Sequence, residues 1–454
     1  MRIVCLTLLG AALVCAQENA AQPRVREMVD GVSEERIAAN IQKLASFETR
    51  NTLSSQGIAA ARQWISDEMK SYSPRLEVSL EHFKVKKNEE RIFQDVDLYN
   101  VVAVLRGTSM PETQVLIGGH YDSLNLVPLP EQPADSGENA AERTIKYDWT
   151  KAEVRAPGAN DDGSGTAAVM ELARVLSRYE FPKTLVFVAF AGEEQGLIGS
   201  SLHAARARRE GQVIEAVLNN DIIGGEVSGN GRTGNGTLNV YSDEIMDSAS
   251  QGLARYARRM GERYLPSMKV NTVWMQDRLG RGGDHTPFQW EGYAAVRFST
   301  PNENYAHEHT ASDLPAFVSV PYTARVARVN AAVAASLALA PKPPVVMQEA
   351  KTGTLKGRLV PQISRGKSRY DAQLKWNNPG PEANLKGYVV VMRPTTALDW
   401  EKEVFVGNVQ EYLFHDVSVD DVRFGVKAID NEGNESLVSV YVYPSRLKRE
   451  VPVY

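Results

Sequence analysis

The stretch TLVFVAFAGEE, Thr184 to Glu194, decides the fold of this chain. Its first seven residues, TLVFVAF, form a continuous run in which β-branched and aromatic residues predominate, which is typical of a strand covered on both faces of a sheet. Two adjacent glutamates, Glu193 and Glu194, follow the point where this strand ends. Ligands of open α/β sheets bind at the carboxyl ends of strands, and buried carboxylates need positive charge nearby. We therefore expect a cation site at these glutamates.

Further strands and helices alternate along the chain on both sides of this stretch. The apolar patterns predict strands over Asp97–Gly107, Val115–Gly119, Ala216–Asn220 and Ala294–Phe298. They predict two amphipathic helices between Ser33 and Tyr72, a helix over Gly163–Tyr179 and a long Ala-rich helix over Pro315–Leu339. This alternation predicts an α/β domain with a mostly parallel central sheet and helices on both faces.

The hydrophobic pattern of the sequence changes after a Pro-rich stretch at residues 341–348, which we interpret as a linker. Short alternating strands follow it, and the positions of Trp376 and Tyr388 in two of them resemble a fibronectin type III β-sandwich. We therefore predict a domain of residues 17–340, the linker, and an all-β sandwich of residues 349–454.

The first sixteen residues, MRIVCLTLLGAALVCA, carry one Arg, an apolar core and small residues before Gln17. This pattern predicts a cleavable signal peptide at residues 1–16 and a secreted or periplasmic protein. The segment is too short to span a membrane. A lipid anchor on Cys15 is a weaker alternative, because Val14 occupies a position that favours smaller residues. Both cysteines lie in this segment, so the exported protein is expected to contain no disulfide.

Five side chains at predicted element ends have the chemistry of metal ligands. They are His120 in GGHYDS, Asp161 in PGANDDGSG, Glu194, Asp221 in NNDIIG and His309 in HEHTASD. Each alone is as readily a capping or buried polar residue. Together, two imidazoles and three carboxylates match the ligands of two Zn²⁺ ions that share one carboxylate, and the same set accepts Co²⁺ or Mn²⁺.

The neighbours of these residues suggest how such a site would work. Glu193 next to Glu194 is placed to remain unligated and to act as the general base for a water polarised by two metal ions. Asp122, two residues after His120, is placed to accept a hydrogen bond from the other ring nitrogen of that histidine.

These motifs, in this order over about residues 35 to 340, resemble the zinc exopeptidase family that includes bacterial leucyl aminopeptidases and aminopeptidase Y. The resemblance implies a three-layer, phosphorylase/hydrolase-like fold and two Zn²⁺ per chain. It implies that His120 and Asp221 hold one ion, that Glu194 and His309 hold the other, and that Asp161 bridges both. Glu193 would be the general base, and the peptide bond between Asp161 and Asp162 would be cis.

Two features depart from the family pattern. An acidic, Pro-containing insertion, Leu124 to Glu153, is expected to form a lid or rim that alters access for substrates. His307 is an alternative ligand to His309, but Thr310 and Asp313 favour His309. The resemblance also implies that Asp284 and His285, in GGDHTPF, are pocket residues.

The leading functional hypothesis is a secreted metal-dependent aminopeptidase, in which a metal-bound hydroxide attacks the scissile carbonyl of a peptide and Glu193 moves the proton. A glutaminyl cyclase or carboxypeptidase-like enzyme on the same scaffold is one alternative, since a fold does not fix the substrate. A non-catalytic exported binding protein is another. A net charge of −5 gives no basic footprint, so we expect no nucleic-acid partner.

Overall fold

The structure, a computed structural model, describes residues 21–88, 91–130, 146–352, 357–380 and 383–443. The predicted signal peptide lies outside these ranges. The chain divides into two units, one of residues 23–338 and one that begins at residue 339. Among the described residues, no helix has both the length and the apolar composition needed to cross a membrane.

An eight-stranded sheet forms the centre of the first unit. Its strands are β1 (Leu76–Val85), β2 (Val96–Leu105), β3 (Met110–His120), β4 (Lys183–Phe190), β5 (Val213–Asn220), β6 (Thr237–Tyr241), β7 (Lys269–Val273) and β8 (Ala295–Ser299). They lie in the order β1-β2-β4-β3-β5-β8-β6-β7. The central strands β4, β3, β5 and β8 are parallel to their neighbours in this row, as are β6 and β7, and the remaining pairs are antiparallel. The predicted mostly parallel sheet is confirmed.

The first unit also contains helices, several of which pack on this sheet. They are α1 (Pro23–Asp30), α2 (Glu34–Ala45), α3 (Gly57–Tyr72), α4 (Gly163–Leu176), α5 (Ile198–Arg209), α6 (Ala249–Tyr264), α7 (His285–Trp290) and α8 (Val320–Leu339). Side chains of α5 and α7 pack with alternate residues of β3 and β4, such as Leu116 and Val188. The intervening residues, such as Ile117 and Phe187, are also completely buried. Because successive strand residues point to opposite faces, both faces of the central strands are covered.

The long Ala-rich helix begins later than predicted. Pro315–Phe317 forms a short 3-10 turn, and the α-helix begins at Val320 instead of Pro315. Pro321 therefore lies in the first turn of the helix, where proline is tolerated because its missing N–H has no partner within the helix.

The second unit contains two antiparallel sheets that share one core. Strands β9 (Val345–Val346), β12 (Ile363–Ser364), β13 (Ala372–Asn377) and β16 (Glu411–Phe414) form one sheet, and β14 (Leu385–Pro394), β15 (Lys402–Gly407), β17 (Val422–Asp430) and β18 (Ser439–Val440) form the other. A two-stranded ribbon consists of β10 (Gln348–Ala350) and β11 (Leu359–Pro361). Trp376 from the first sheet packs edge-on against Tyr388 from the second, with ring centroids 5.6 Å apart. The predicted all-β sandwich is confirmed, and its fibronectin type III identity stays a prediction.

Candidate metal centre

The ends of three parallel strands place three of the five predicted ligands at one edge of the central sheet. His120 is the last residue of β3 and lies opposite Phe190, the last residue of β4. Glu194 therefore follows β4 beside His120, and Asp221 follows β5 on the other side. Carboxyl ends of adjacent parallel strands meet at the same edge, so the strand order itself brings these side chains together.

Asp161 lies between two pairs of side chains and directs one oxygen to each. Its Oδ1 is 3.1 Å from Nε2 of His120, which is 3.8 Å from Oδ1 of Asp221. Its Oδ2 is 3.0 Å from Nε2 of His309, which is 3.1 Å from Oε2 of Glu194. The structure thus places each of the five predicted residues in one cluster, with Asp161 shared between a His–Asp pair and a His–Glu pair. The peptide bond between Asp161 and Asp162 is cis, as the resemblance implies.

These separations fit two zinc ions. Zinc binds nitrogen and oxygen ligands tetrahedrally at about 2.0–2.1 Å, which puts two ligand atoms about 3.3 Å apart. The distances of 3.0 to 3.8 Å between the candidate ligand atoms lie around this value. One oxygen of Glu194, Oε1, is buried without a hydrogen-bond partner, as expected of an atom that has another role.

The electrostatics of the cluster also call for cations. Burial by itself lowers the pKa of His309, but the charges and hydrogen bonds of Glu194 and Asp161 raise it to about 12. Burial raises the pKa of Glu194, and the charge of Asp161 raises it further. The shift of the His309 pKa shows a strongly negative potential where the two histidines and the carboxylates meet. Divalent cations would neutralise it.

Glu193 lies beside this cluster. One carboxylate oxygen of Glu193 is grouped within 4.8 Å with ligand atoms of His120 and Glu194. Burial raises the pKa of Glu193 well above its ordinary value, and the negative charges of Glu194 and Asp221 add to the effect. A carboxylate with a raised pKa beside a metal site has the properties of a general base.

Three aspartates that are not in the cluster fix the loops that carry it. Asp122 accepts hydrogen bonds from the backbone N–H groups of Glu193 at 3.3 Å and Glu194 at 3.2 Å. Nδ1 of His120 lies 3.2 Å from the backbone carbonyl of Asp122 and 3.5 Å from its carboxylate. Asp122 therefore contacts both the histidine and the loop of the two glutamates, although the shorter contact of the His120 ring is with the backbone carbonyl of Asp122 and not, as predicted, with its carboxylate.

Asp162 and Asp313 act in the same way. Asp162 accepts from the N–H groups of His120 at 3.1 Å, Gly165 at 2.9 Å and Ile222 at 3.2 Å. Asp313 accepts from the N–H of Asp161 at 3.0 Å. Burial raises the pKa of Asp313 to about 7.

Two buried arginines support the site and were not predicted from the sequence. Arg297 in β8 is completely buried, and its Nε lies 3.3 Å from Oδ2 of Asp221. Arg50 is also completely buried and donates to the carbonyls of Tyr121 and Gly158, on either side of the ligand-bearing loops. A signal for Arg297 was present, since an arginine within an apolar strand must find a buried partner.

The other residues singled out in the sequence lie near the cluster. Nδ1 of His307 lies 2.9 Å from the Ser312 hydroxyl, and its ring stacks on Phe317, so the structure groups His309 and not His307 with the ligands. Asp284 is completely buried, which raises its pKa to about 7. Nε2 of His285 lies 2.6 Å from the carbonyl oxygen of Gln276.

A cavity of about 470 Å³ opens onto the cluster. Its lining includes Glu193, Arg91, Arg278 and Arg281, together with Leu126 from the predicted insertion. The backbone N–H of Leu126 donates to the carbonyl of His309 at 2.9 Å. Residues 131–145 of the insertion lie outside the described residues, so its role as a lid stays a prediction.

Residues 100–334 match the sequence profile of peptidase family M28. A protein of Pyricularia oryzae named probable zinc metalloprotease is 37% identical over 442 residues, which cover 88% of this chain and 81% of that protein. The alignment therefore extends well beyond the residues that match the profile.

Two solved structures share the fold. The LapA aminopeptidase of Legionella pneumophila superposes with a TM-score of 0.51 at 21% identity, over 69% of this chain and 74% of that one. The glutaminyl cyclase of Fimbriiglobus ruber superposes with a TM-score of 0.50 at 19% identity, over 66% of this chain and 94% of that one. At these identities the two structures show that the fold is shared, but they do not indicate the substrate.

Proposed function

Because the chain belongs to peptidase family M28, we propose that it is a zinc-dependent aminopeptidase that removes N-terminal residues from peptides. The single observation that carries the proposal is the position of Asp161, whose two oxygens face separate histidine–carboxylate pairs beside Glu193. This arrangement suits two ions, one held by His120 and Asp221 and the other by Glu194 and His309.

The residues of the chain divide the chemistry among themselves. Zinc bound at this site supplies Lewis acidity toward the attacking water and the scissile carbonyl. Glu193 accepts the proton of that water and returns it to the leaving amine. The surrounding carboxylates attract the positively charged N-terminus of a peptide, which favours cleavage of the first peptide bond.

The proposal includes export of the protein and a structural identity for the second unit. The first sixteen residues would direct the chain out of the cytoplasm and be removed after Ala16, leaving a secreted or periplasmic enzyme. Two facing antiparallel sheets with Trp376 and Tyr388 in their shared core support a fibronectin type III-like identity for the second unit.

Replacement of Glu193 by Gln tests the proposal. We expect the wild type to release p-nitroaniline from amino-acyl p-nitroanilides and to lose this activity on treatment with a chelator. Glu193→Gln is expected to lower kcat by about 10²- to 10⁴-fold, the usual contribution of a general base. Elemental analysis should find two zinc ions in both proteins.

A matched control separates the loss of a base from the loss of any carboxylate. Glu180 is an exposed glutamate of the same unit, and Glu180→Gln is expected to keep wild-type activity. Full activity of Glu193→Gln would refute the assignment of the base. One metal ion per wild-type chain would refute the two-metal site and favour an enzyme such as a glutaminyl cyclase on this scaffold.

A further inference from the structure

Arg91 places an exposed positive charge at the mouth of the cavity that opens onto the metal cluster. It lies in the turn between β1 and β2. Its Nη1 donates to the backbone carbonyl of Glu194, a proposed metal ligand, at 3.1 Å. Its guanidinium carbon lies 4.8 Å from the ring centroid of Trp149, which belongs to the insertion. The guanidinium is therefore held next to the residues that would carry out the reaction.

Hydrogen bonds to Asn88 and buried contacts of Ile92 fix the backbone at Arg91. The side-chain oxygen of Asn88 accepts from the N–H groups of Arg91 at 2.9 Å and Ile92 at 3.0 Å. The Ile92 side chain is completely buried and clusters with Leu53 and Ala152. The position of Arg91 thus follows from buried contacts of its neighbour, even though its own side chain is exposed.

The charge of Arg91 differs from the other two arginine charges of the cavity. Nη1 of Arg278 lies 2.5 Å from a carboxylate oxygen of Glu303, and Arg281 is paired with Glu308. Within the described ranges, no carboxylate lies within 4.0 Å of the Arg91 guanidinium. Its bond to one carbonyl leaves further N–H donors of a planar fork that matches the geometry of a carboxylate.

We infer that Arg91 binds a carboxylate of the peptide substrate, an inference that rests on the proposed peptidase function. Since Arg91 contacts the backbone of a proposed ligand, a carboxylate in the second or third residue of a bound peptide is within its reach, at up to about 3.6 Å per extended residue. This carboxylate is either the C-terminal group of a short peptide or an acidic side chain. Charge-assisted, bidentate pairing would make it a determinant of substrate choice.

Two pairs of matched peptides test the inference and separate the two sources. The first pair is Leu-Ala and Leu-Ala-amide, which differ in the C-terminal carboxylate. The second is Leu-Asp-amide and Leu-Asn-amide, which differ in an acidic side chain. For each pair, the ratio of kcat/KM for the charged peptide to that for the neutral one is measured by release of leucine. We expect the wild type to prefer the charged member of at least one pair, and Arg91→Met to lower that ratio at least tenfold.

Two further variants show whether the effect depends on the guanidinium. Arg91→Lys keeps the charge without the fork and is expected to keep a ratio between those of the wild type and Arg91→Met. Arg106, at the opposite end of the same hairpin, forms an exposed pair with Glu77, and Arg106→Met is expected to leave the ratio unchanged.

A structural role for Arg91, through Trp149 or Glu194, would change kcat/KM for both members of a pair alike and leave the ratio unchanged. Such a result in Arg91→Met and Arg91→Lys, or equal use of both members by the wild type, overturns the inference. If the wild type instead cleaves none of the four peptides and no amino-acyl p-nitroanilide, the proposed function itself is refuted.

Discussion

Replacement of Arg297 by Met removes the positive charge that three buried carboxylates share beneath the metal cluster. Nη1 of Arg297 lies 2.6 Å from Oδ1 and 2.9 Å from Oδ2 of Asp277. The same guanidinium lies 3.3 Å from Asp221 and 3.7 Å from Glu303. Methionine fills a similar volume but leaves these carboxylates with less compensating charge in a region closed to solvent.

The cost follows from the burial of this network. Removal of one partner of a buried ion pair typically destabilises a protein by about 3–5 kcal/mol, because the remaining charge stays desolvated. A folding unit of about 300 residues unfolds with an entropy of about 0.6 kcal/mol/K, so Arg297→Met is expected to lower Tm by about 5–8 °C. The melts are measured with a chelator present, since bound metal stabilises the folded state. Arg106→Met, which breaks only an exposed pair, is the control and should lower Tm by less than about 2 °C.

The pH dependence of the difference in Tm between the wild type and Arg297→Met provides an independent check. Burial by itself raises the pKa of Asp277, but the charge of Arg297 holds it below its ordinary value in the wild type. A depressed carboxylate pKa contributes stability above the unfolded pKa of about 3.9 and loses it as the pH falls through the folded pKa. Without Arg297, Arg278 still lowers the pKa of Asp277, but the largest of the lowering effects is lost and the pKa rises. The folded variant therefore takes up a proton at a higher pH than the folded wild type does, and this uptake offsets part of its loss of stability as the pH falls. The difference in Tm should therefore be smaller at pH 5 than at pH 7.5. A Tm like that of Arg106→Met, or a difference that does not narrow, would refute this account.

Two further substitutions test the ligand set and the packing beneath it. His309→Ala is expected to lose one of two zinc ions and most of the activity. The ring of His307 bonds Ser312 and stacks on Phe317, so His307→Ala should retain both ions by elemental analysis. The reverse result would make His307 the ligand. Gly165→Ala would place a methyl group 2.3 Å from the Asn220 carbonyl oxygen and should destabilise the protein by about 1–3 kcal/mol, while Gly252→Ala, with nothing within 4 Å, should be neutral or stabilising in thermal melts.

The sequence predicted the strands that carry the site better than those at the edge of the sheet. The continuous apolar run of β4 and the shorter runs of β3, β5 and β8 were predicted, because strands buried on both faces are apolar throughout. The five-residue strands β6 (TLNVY) and β7 (KVNTV) were not predicted, because partly exposed short strands carry a weaker pattern. Their place in the sheet follows from pairing with β8 and with each other, which no local pattern specifies.

Within the site, residue types were easier to predict than their supports. Histidines and carboxylates at strand ends could be recognised by the chemistry of metal ligands and by motif. Arg50 and Arg91 could not, because an arginine is usually an exposed surface residue and only its tertiary partners give it a role. For Arg297 the surrounding apolar strand indicated a buried partner, but no local pattern indicated which carboxylates it would bind. The carbonyls that Arg50 binds come from residues as far as 108 positions away in the chain.

The aspartates around the cluster show why the site contains more carboxylates than two zinc ions need. Asp122, two residues after His120, binds the N–H groups of both adjacent glutamates, and Asp162, next to Asp161, binds those of His120 and Ile222. The backbone of the glutamate loop is thus bound by a carboxylate that follows His120, and the backbones of His120 and Ile222 are bound by a carboxylate that follows Asp161. A neutral Asn could also accept such N–H bonds, but it would add no negative potential for cations, and bonds from N–H groups to a charged acceptor are about twice as strong. The same carboxylates therefore order the ligand-bearing loops and supply the negative potential that attracts the cations.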